Sequence, residues 1–467
     1  MTKKKFKMPH VYTIFILLIV LSGLLTYIVP AGTYDRMTFE NGRTGVVPGT
    51  FHFVERTPVG ILGWFTAIGE GFVASADIIC GVFIYVAGIG MYLDSDVFNK
   101  AIFKLIKVMG SKGEKVVMLI LMIFYTCLGG LTGNITPELA FVPMSISLAL
   151  AFGYDTMTGV LMVLAPTFVG FATGPINPYT IGVAHQVAEL EMFSGMIPRI
   201  FMWVVSSIIT FIFVFRYAEK VKKDHSKSLG SFQLEGGETV KKDELSAKYA
   251  NVSLTVRDWI LLGGFVATVV WLVLGAVVYD YSMNQYTGIF IMSGIFAGIV
   301  AGFDQEKICK TFIKYGSNLY FGAMVLALAR AIYVIFTNGQ ICDTIVHYMS
   351  LPLQGLSTTM SAAGMFVFQT LMNLFVNSGS GQAMVTMPIM TPLADILGVT
   401  RQVAVSAFQF GDGLSNLVWP TSSTVFAYLA MANLPYDKYL KVIWKLFAIL
   451  TLLGFVFVIV GQMMGYA

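Results

Sequence analysis

The chain has 467 residues, 56% of them hydrophobic and 12% charged, with a mean hydropathy of +0.75. Soluble domains carry roughly 25% charged residues, so this composition excludes an ordinary soluble domain and points to an all-α polytopic membrane protein. The net charge of +4 is small and gives no reason to expect a nucleic-acid partner.

Apolar runs of about 20 residues, each long enough to cross a bilayer, recur along the chain. The first, Val11 to Pro30, has no clear small-residue cleavage site and reads as a retained span near 10–30 rather than a signal peptide. Further spans are predicted near 75–94, 157–188, 196–218, 257–279, 286–303, 318–337, 402–433 and 442–463. Two segments, 115–152 and 358–397, read as re-entrant hairpins that enter and leave on one side. The arms Lys115–Leu131 and Leu139–Gly153 are about 15–17 residues, short for a crossing. The chain therefore divides into a first half (1–218), a basic cytoplasmic linker (219–256) and a second half (257–467).

The basic residues orient these spans. With the N-terminus cytoplasmic, the cytoplasmic segments hold 24 of the 30 Lys and Arg. External segments hold Arg36, Arg43, Arg56, Arg199 and Arg401, and Arg330 alone is left inside a span. That asymmetry follows the positive-inside rule. The four cysteines (Cys80, Cys127, Cys309, Cys342) have neither metal-ligand nor disulfide-framework spacing and read as apolar packing residues.

A repeat relates the halves. At a constant offset of 245, Pro143 matches Pro388, Ala149 matches Ala394 and Gly153 matches Gly398; Val160 matches Val405 and Pro175 matches Pro420. Pro and Gly shape the backbone, so the correspondence is structural. Each half carries a hairpin with a polar tip, followed by a span broken near its middle at "TGPINPYT" (Thr173–Thr180) or "VWPTSST" (Val418–Thr424). The predicted topology sends the first hairpin in from the cytoplasm and the second from outside, which makes the repeats inverted.

Irregular backbone at membrane depth is tolerated only where it is buried in protein or lines a cavity. Broken helices in inverted halves are how secondary transporters build midplane sites: exposed N-termini suit a carboxylate and exposed carbonyls suit Na⁺. The polar island Asn377, Ser378, Gly379, Ser380, Gly381 and Gln382 is thus expected to form half of a solute and ion site. Asn134, Thr136, Asn177, Asn377, Ser378, Ser380, Asn416, Thr421 and Ser422 are predicted to converge, with Gln382, Glu138, Asp412 and Arg330 as further substrate-binding candidates. Asp412, Glu138, Asn134 and Asn377 are the cation-coupling candidates; no metal or cofactor beyond Na⁺ is expected.

At these residues the sequence resembles the YfcC-like group of the C4-dicarboxylate anaerobic carrier family, within the ion transporter superfamily. The resemblance is densest in "NSGSGQAMVTMPIMTPLADILGVTRQVAVSAFQFGDGLSNLVWPTS" and "NPYTIGVAHQVAELEMFSG". It implies inverted repeats, a scaffold part that dimerises and a transport part that moves as an elevator. Relatives have been linked to basic amino acid exchange, and the family name records C4-dicarboxylate transport. Relatives of the first kind carry two adjacent glutamates at the first hairpin tip. Here Thr136 and Pro137 match those positions and Glu138 follows one residue later, which argues against a guanidinium substrate, since that group wants a bidentate carboxylate.

Ionisable groups within spans are costly and therefore functional candidates. Asp77, Glu138 and Asp412 face one arginine, Arg330, a balance that favours a co-transported cation or a substrate amino group. His185 reads as a hydrogen-bonded packing histidine. There is no phosphate-binding loop, nucleophile–His pairing or HExxH string, so no enzyme and no direct ATP coupling are expected. The expectation is a secondary active transporter in a bacterial cytoplasmic membrane, a homodimer moving a small amino-acid-type solute with Na⁺ or H⁺ or by exchange. A C4-dicarboxylate carrier is the second reading and a channel a more distant one.

Overall fold

The computed structural model describes residues 11–38, 44–47, 49–101, 104, 113–133, 135–232, 253–277, 279, 281, 283–317 and 320–466. In the first half the helices are α1 (Val11–Ile28), α2 (Ile61–Ala74), α3 (Ala76–Asp94), α4 (Gly113–Thr132), α5 (Val142–Ala151), α6 (Thr156–Thr173), α7 (Val183–Val187) and α8 (Met196–Lys223). In the second half they are α9 (Val256–Val277), α10 (Met283–Val300), α11 (Gln305–Ser317), α12 (Tyr320–Asn338) and α13 (Cys342–Ser350). The chain then continues through α14 (Thr358–Phe375), α15 (Gly379–Leu397), α16 (Arg401–Ser415), α17 (Ser423–Met431) and α18 (Tyr436–Met463). Four short strands lie between α1 and α2. β1 (Gly32–Thr33) pairs antiparallel with β4 (His52–Phe53), and β2 (Arg36–Thr38) with β3 (Thr44–Val46).

The repeat is visible in where the elements begin. α4 and α14 start at Gly113 and Thr358, and α6 and α16 start at Thr156 and Arg401, both pairs 245 residues apart. The caps match at the same offset. Asp155 accepts a hydrogen bond from the Thr158 backbone N–H, and Thr400 accepts one from that of Val403. Gly153 (φ +79°) and Gly398 (φ +72°) both adopt the left-handed conformation that ends each hairpin, a shape a Cβ would oppose.

Breaks fall where the sequence places them. α6 ends at Thr173 and resumes through a π-helical turn at Pro178–Gly182; α16 ends at Ser415 and α17 begins at Ser423. The two long limbs, α6 along its whole length and α16 from Gln402 onward, are buried and pack on each other. A Cβ on Gly413 would stand 2.4 Å from the Ala172 Cα, so the limbs touch backbone to backbone beside their breaks. In each half the first hairpin arm packs on the long limb, α4 on α6 and α14 on α16.

Several expectations are corrected. The span predicted at 75–94 continues a helix over Ile61–Ala74, and the two meet at a 59° bend near Ser75, a third broken element. "ILGWFTAIGEGFVA" escaped notice because 14 residues interrupted by Glu70 and three glycines fall short of a span. The first arm of the first hairpin is 20 residues rather than the expected 15–17, and its Gly113–Leu131 stretch is long and apolar enough to cross a membrane. Thr156–Thr173, Met196–Lys223 and Tyr436–Met463 also meet that test among the described residues, and the bent α2–α3 pair meets it if taken as one span. The remaining predicted spans fall on helices among the described residues. α11 and α13 were not anticipated. Most of the linker, 233–252, lies outside the described residues.

Arg199, counted above among external residues, is fully buried at the start of α8. Its guanidinium donates to Gln402 Oε1 (3.1 Å), the Tyr466 hydroxyl (3.1 Å) and the carbonyls of Phe193 (3.2 Å) and Ser194 (2.6 Å). Neutral acceptors spread its charge, and the clasp ties the end of the first half to the start of α16.

Segments grouped on the lysine-rich side are joined by ion pairs. Lys100 meets Asp258 at 2.9 Å, Lys314 meets Asp94 at 3.2 Å, and Lys115 and Lys222 meet Glu219 and Glu114. At the opposite ends Arg36 meets Asp343 at 2.8 Å and Arg401 meets Asp395 at 2.7 Å.

Candidate functional site

Each break needs partners for the backbone groups it frees. In the first, Asn177 Oδ1 accepts from the backbone N–H groups of Tyr179 (2.9 Å) and Thr180 (3.2 Å), while its amide donates to the Phe171 carbonyl (3.0 Å). Gln409, reaching across from α16, donates to the Gly174 carbonyl at 2.8 Å. In the second, Tyr439 on α18 donates to the Leu417 carbonyl at 3.0 Å. The first break is therefore stitched in part from the other half, and the second from within its own.

Hairpin tips are tied to the breaks in the same way. Asn373 donates to the Asp412 carbonyl and to Ser415 Oγ, both at 2.8 Å. Asn377 donates to Asn373 Oδ1 at 3.1 Å and to Asn416 Oδ1 at 2.7 Å, and Asn416 donates to the Asp412 carbonyl at 3.0 Å. Ser378 caps α15 by accepting from the Gly381 backbone N–H. From the first tip, the Ile135 carbonyl accepts from the Tyr428 hydroxyl on α17 at 3.1 Å.

These parts meet around one cavity of about 390 Å³. The first tip supplies Gly133 and Ile135, the first break Phe171 and Tyr179, and the second tip Asn377, Ser378, Gly379 and Ser380. The second break supplies Asn416, Ser422, Ser423 and Thr424; the α2–α3 bend supplies Ala74 and Ser75, and α12 supplies Arg330. Arg330 is the one charged side chain among these. The starts of α15 and α17, whose first-turn N–H groups lack helical partners, both face the cavity.

Of the residues predicted to form the site, Asn377, Ser378, Ser380, Asn416, Ser422 and Arg330 line this cavity. Thr421 lines a small adjoining pocket with Arg330 and Asn377. Asn177 is buried and structures the first break. Thr136 and Glu138 are buried in the first tip, and Glu138 Oε2 has no hydrogen-bond partner among the described residues. Gln382 lies inside the second hairpin, donating to the Gln369 carbonyl (2.9 Å) and Oε1 (2.8 Å), and does not face the cavity. Asn134 lies outside the described residues.

Asp412 is fully buried on α16, and neither carboxylate oxygen has a hydrogen-bond partner among the described residues. No ion pair joins it to Arg330 there, so a structural Arg330–Asp412 pair finds no support. His185 accepts from the Phe193 backbone N–H at 2.9 Å beside Arg199, the packing role expected of it.

Residues the sequence reading missed are mostly uncharged: Ser75, Gln369, Asn373, Gln409 and Tyr439. Their signal in the sequence is an amide or hydroxyl inside an apolar run, away from the tips and breaks. Glu70 was missed with its helix. It accepts from Asn338 Nδ2 at 3.0 Å beside a second cleft of about 630 Å³ between α2 and α12, which shares Arg330 and Ala74 with the central cavity.

Relatives place the chain. It is similar to a protein of Escherichia coli (strain K12) named "Putative basic amino acid antiporter YfcC", at 28% identity over 99% of this chain and 98% of that one. A Haemophilus influenzae protein of no described function is 25% identical over 98% of this chain and 97% of its own. The solved structure of Neisseria gonorrhoeae MtrF, described within a class of antimetabolite efflux pumps, aligns at 15% identity with a TM-score of 0.46, over 98% and 96% of the two chains. That likeness is too slight to carry an argument about this molecule. The model of the C4-dicarboxylate anaerobic carriers matches residues 8–463, and the chain belongs to that family of membrane transporters.

Proposed function

We propose that this chain is a secondary carrier that moves a small amino-acid-type solute across the cytoplasmic membrane by alternating access, coupled to Na⁺ or H⁺ or by exchange. The observation that carries the reading is the cavity itself: two hairpin tips and two helix breaks around a polar space in which Arg330 is the one charged lining side chain. A carboxylate fits there between the Arg330 guanidinium and the starts of α15 and α17. Hydroxyls and amides of Asn377, Ser378, Asn416 and Ser422 supply acceptors for an amino group. In this reading the halves are inverted, the hairpins and broken helices form a moving transport part, and the rest forms a dimeric scaffold. The name of the Escherichia coli relative supports an amino acid as solute, whereas the positive lining argues against a guanidinium side chain.

One observation favours a second reading, a C4-dicarboxylate. Glu138 and Asp412, the acids expected to repel a second carboxylate, do not line the cavity. Counterflow in proteoliposomes loaded with unlabelled solute decides between them. An amino acid should drive accumulation of labelled solute. If succinate or fumarate does so and no amino acid does, with Na⁺ present in both trials, the dicarboxylate reading replaces this one. Downhill flux without counterflow would make the protein a channel.

A further inference from the structure

The two halves line the central cavity differently. Every residue that the second tip and the second break bring to it, Gly379 apart, carries an amide or a hydroxyl. The first tip and the first break bring Gly133, Ile135, Phe171 and Tyr179, on which the Tyr179 hydroxyl is the one polar side-chain group. The α2–α3 bend adds Ala74 and Ser75. The two linings meet at the start of α15. A Cβ added to Gly379 would stand 3.2 Å from Phe171 Cζ, so the phenyl ring reaches the helix N-terminus that would hold the solute carboxylate.

The apolar lining is held by its own backbone. The Ile135 carbonyl accepts from the Tyr428 hydroxyl at 3.1 Å, and the Phe171 carbonyl accepts from the Asn177 amide at 3.0 Å. Asn177 Oδ1 in turn accepts from the Tyr179 N–H at 2.9 Å. Phe171 is buried, and Ile135 and Tyr179 are half-buried. Such a surface is preorganised and loses little freedom on binding.

We propose that Ile135, Phe171 and Tyr179 form a side-chain pocket that selects an amino acid with a neutral, apolar side chain. The proposal rests on the carrier reading above and names the solute class within it. An amino acid has three groups to place. Its carboxylate goes to Arg330 and the starts of α15 and α17, and its ammonium to the amides and hydroxyls of the second tip and break. The side chain is left to the lining from the first half. A charged side-chain end placed there would lose water and gain no opposite charge, because Arg330 is the one charged lining group. That cost falls on a lysine ammonium and on the second carboxylate of a dicarboxylate alike. An aliphatic side chain leaves water for Phe171 and Ile135 and meets no such cost.

The experiment is a thermal-unfolding titration of the purified full chain in detergent, at constant NaCl, with glycine, alanine, leucine, lysine and succinate. Leucine should bind about tenfold or more tightly than alanine, since added methylenes in an apolar pocket count at least that much. Lysine and succinate should bind more weakly than alanine. Ile135→Ser should weaken leucine about tenfold and leave glycine within about twofold of the wild type. Ile135→Asp supplies the missing opposite charge and should raise lysine to leucine's affinity or above it, a gain that a folding defect would not produce. Wild-type affinities independent of the side chain overturn the proposal. So do tighter binding of lysine or succinate than of leucine, and no shift with leucine at all. An Ile135→Ser protein that prefers leucine as strongly as the wild type overturns it too. Counterflow driven by some other amino acid alongside any of these results leaves the carrier reading standing, whereas counterflow driven by succinate and by no amino acid removes both.

Discussion

Asn377 donates its side-chain amide to Asn416 Oδ1 at 2.7 Å, which fastens the tip of the second hairpin to the break in the helix that follows it. Neither residue is charged, and both line the central cavity. The contact joins the tip to the break through two neutral side chains.

Removing that contact should therefore show as coupling and not only as loss. Asn377→Ala and Asn416→Ala should each lower transport at least tenfold. Their double-mutant cycle on thermal stability should give an interaction energy of about 0.5–3 kcal/mol, the range for residues in one hydrogen-bond network. Additive effects would mean that tip and break are held independently.

Asp412→Asn should abolish gradient-driven transport and leave the protein folded and inserted. With no ion pair to Arg330 among the described residues, adding Arg330→Gln should not restore folding, insertion or transport. Size-exclusion profiles of the single and double variants, with uptake in proteoliposomes, check this. Rescue by the second substitution would restore the structural-pair explanation.

Arg330 has a cation–π contact with Tyr333 (5.0 Å to the ring centroid) but no ion pair among the described residues. Arg330→Gln and Arg330→Lys should both reach the membrane at normal levels and raise the KM for solute. The lysine variant should fail to restore the wild-type value, because an ammonium cannot bind a carboxylate in a two-pronged way. Uptake kinetics over a wide solute range provide the measurement.

The cleft between α2 and α12 touches the central cavity through Arg330 and Ala74. A cysteine in place of Thr337, which lines that cleft, should react with a membrane-impermeant thiol reagent from one side of the membrane only. Saturating solute should slow the reaction. Labelling at equal rates from both sides, or indifference to solute, would show that the cleft is not a route to the site.

Gly153 and Gly398 end the two hairpins in the same left-handed conformation, and an added Cβ finds open space at the first and nothing nearer than 3.5 Å at the second. Alanine at either place should cost a similar amount, about 1–2 kcal/mol, because the penalty is one of backbone conformation alone. Unequal losses of melting temperature would show that the repeat does not extend to its energetics.

The sequence by itself determined the class of the protein, the repeat and the positions of its breaks. Those features rest on local chemistry. Apolar runs must leave water, Pro and Gly restrict or free the backbone where they stand, and the offset of 245 between Gly153 and Gly398 needs no knowledge of contacts. α14 and α15 run from Thr358 to Leu397, between Ser357 and Gly398, which are ordinary start and stop signals. Tertiary structure alone decided which polar residues share a cavity. Gln382 stands two residues from Ser380, yet helical geometry turns it into the hairpin to meet Gln369 while Ser380 faces the opening. Arg199 looked like an external charge because its acceptors, Gln402 and Tyr466, lie more than 200 residues away along the chain. Asp412 was visible as a buried acid. That it lies beside Gly379, which Thr180 from the other half also approaches, and makes no ion pair with Arg330 among the described residues, depends on two long limbs packing backbone to backbone, and no short-range pattern encodes such a contact.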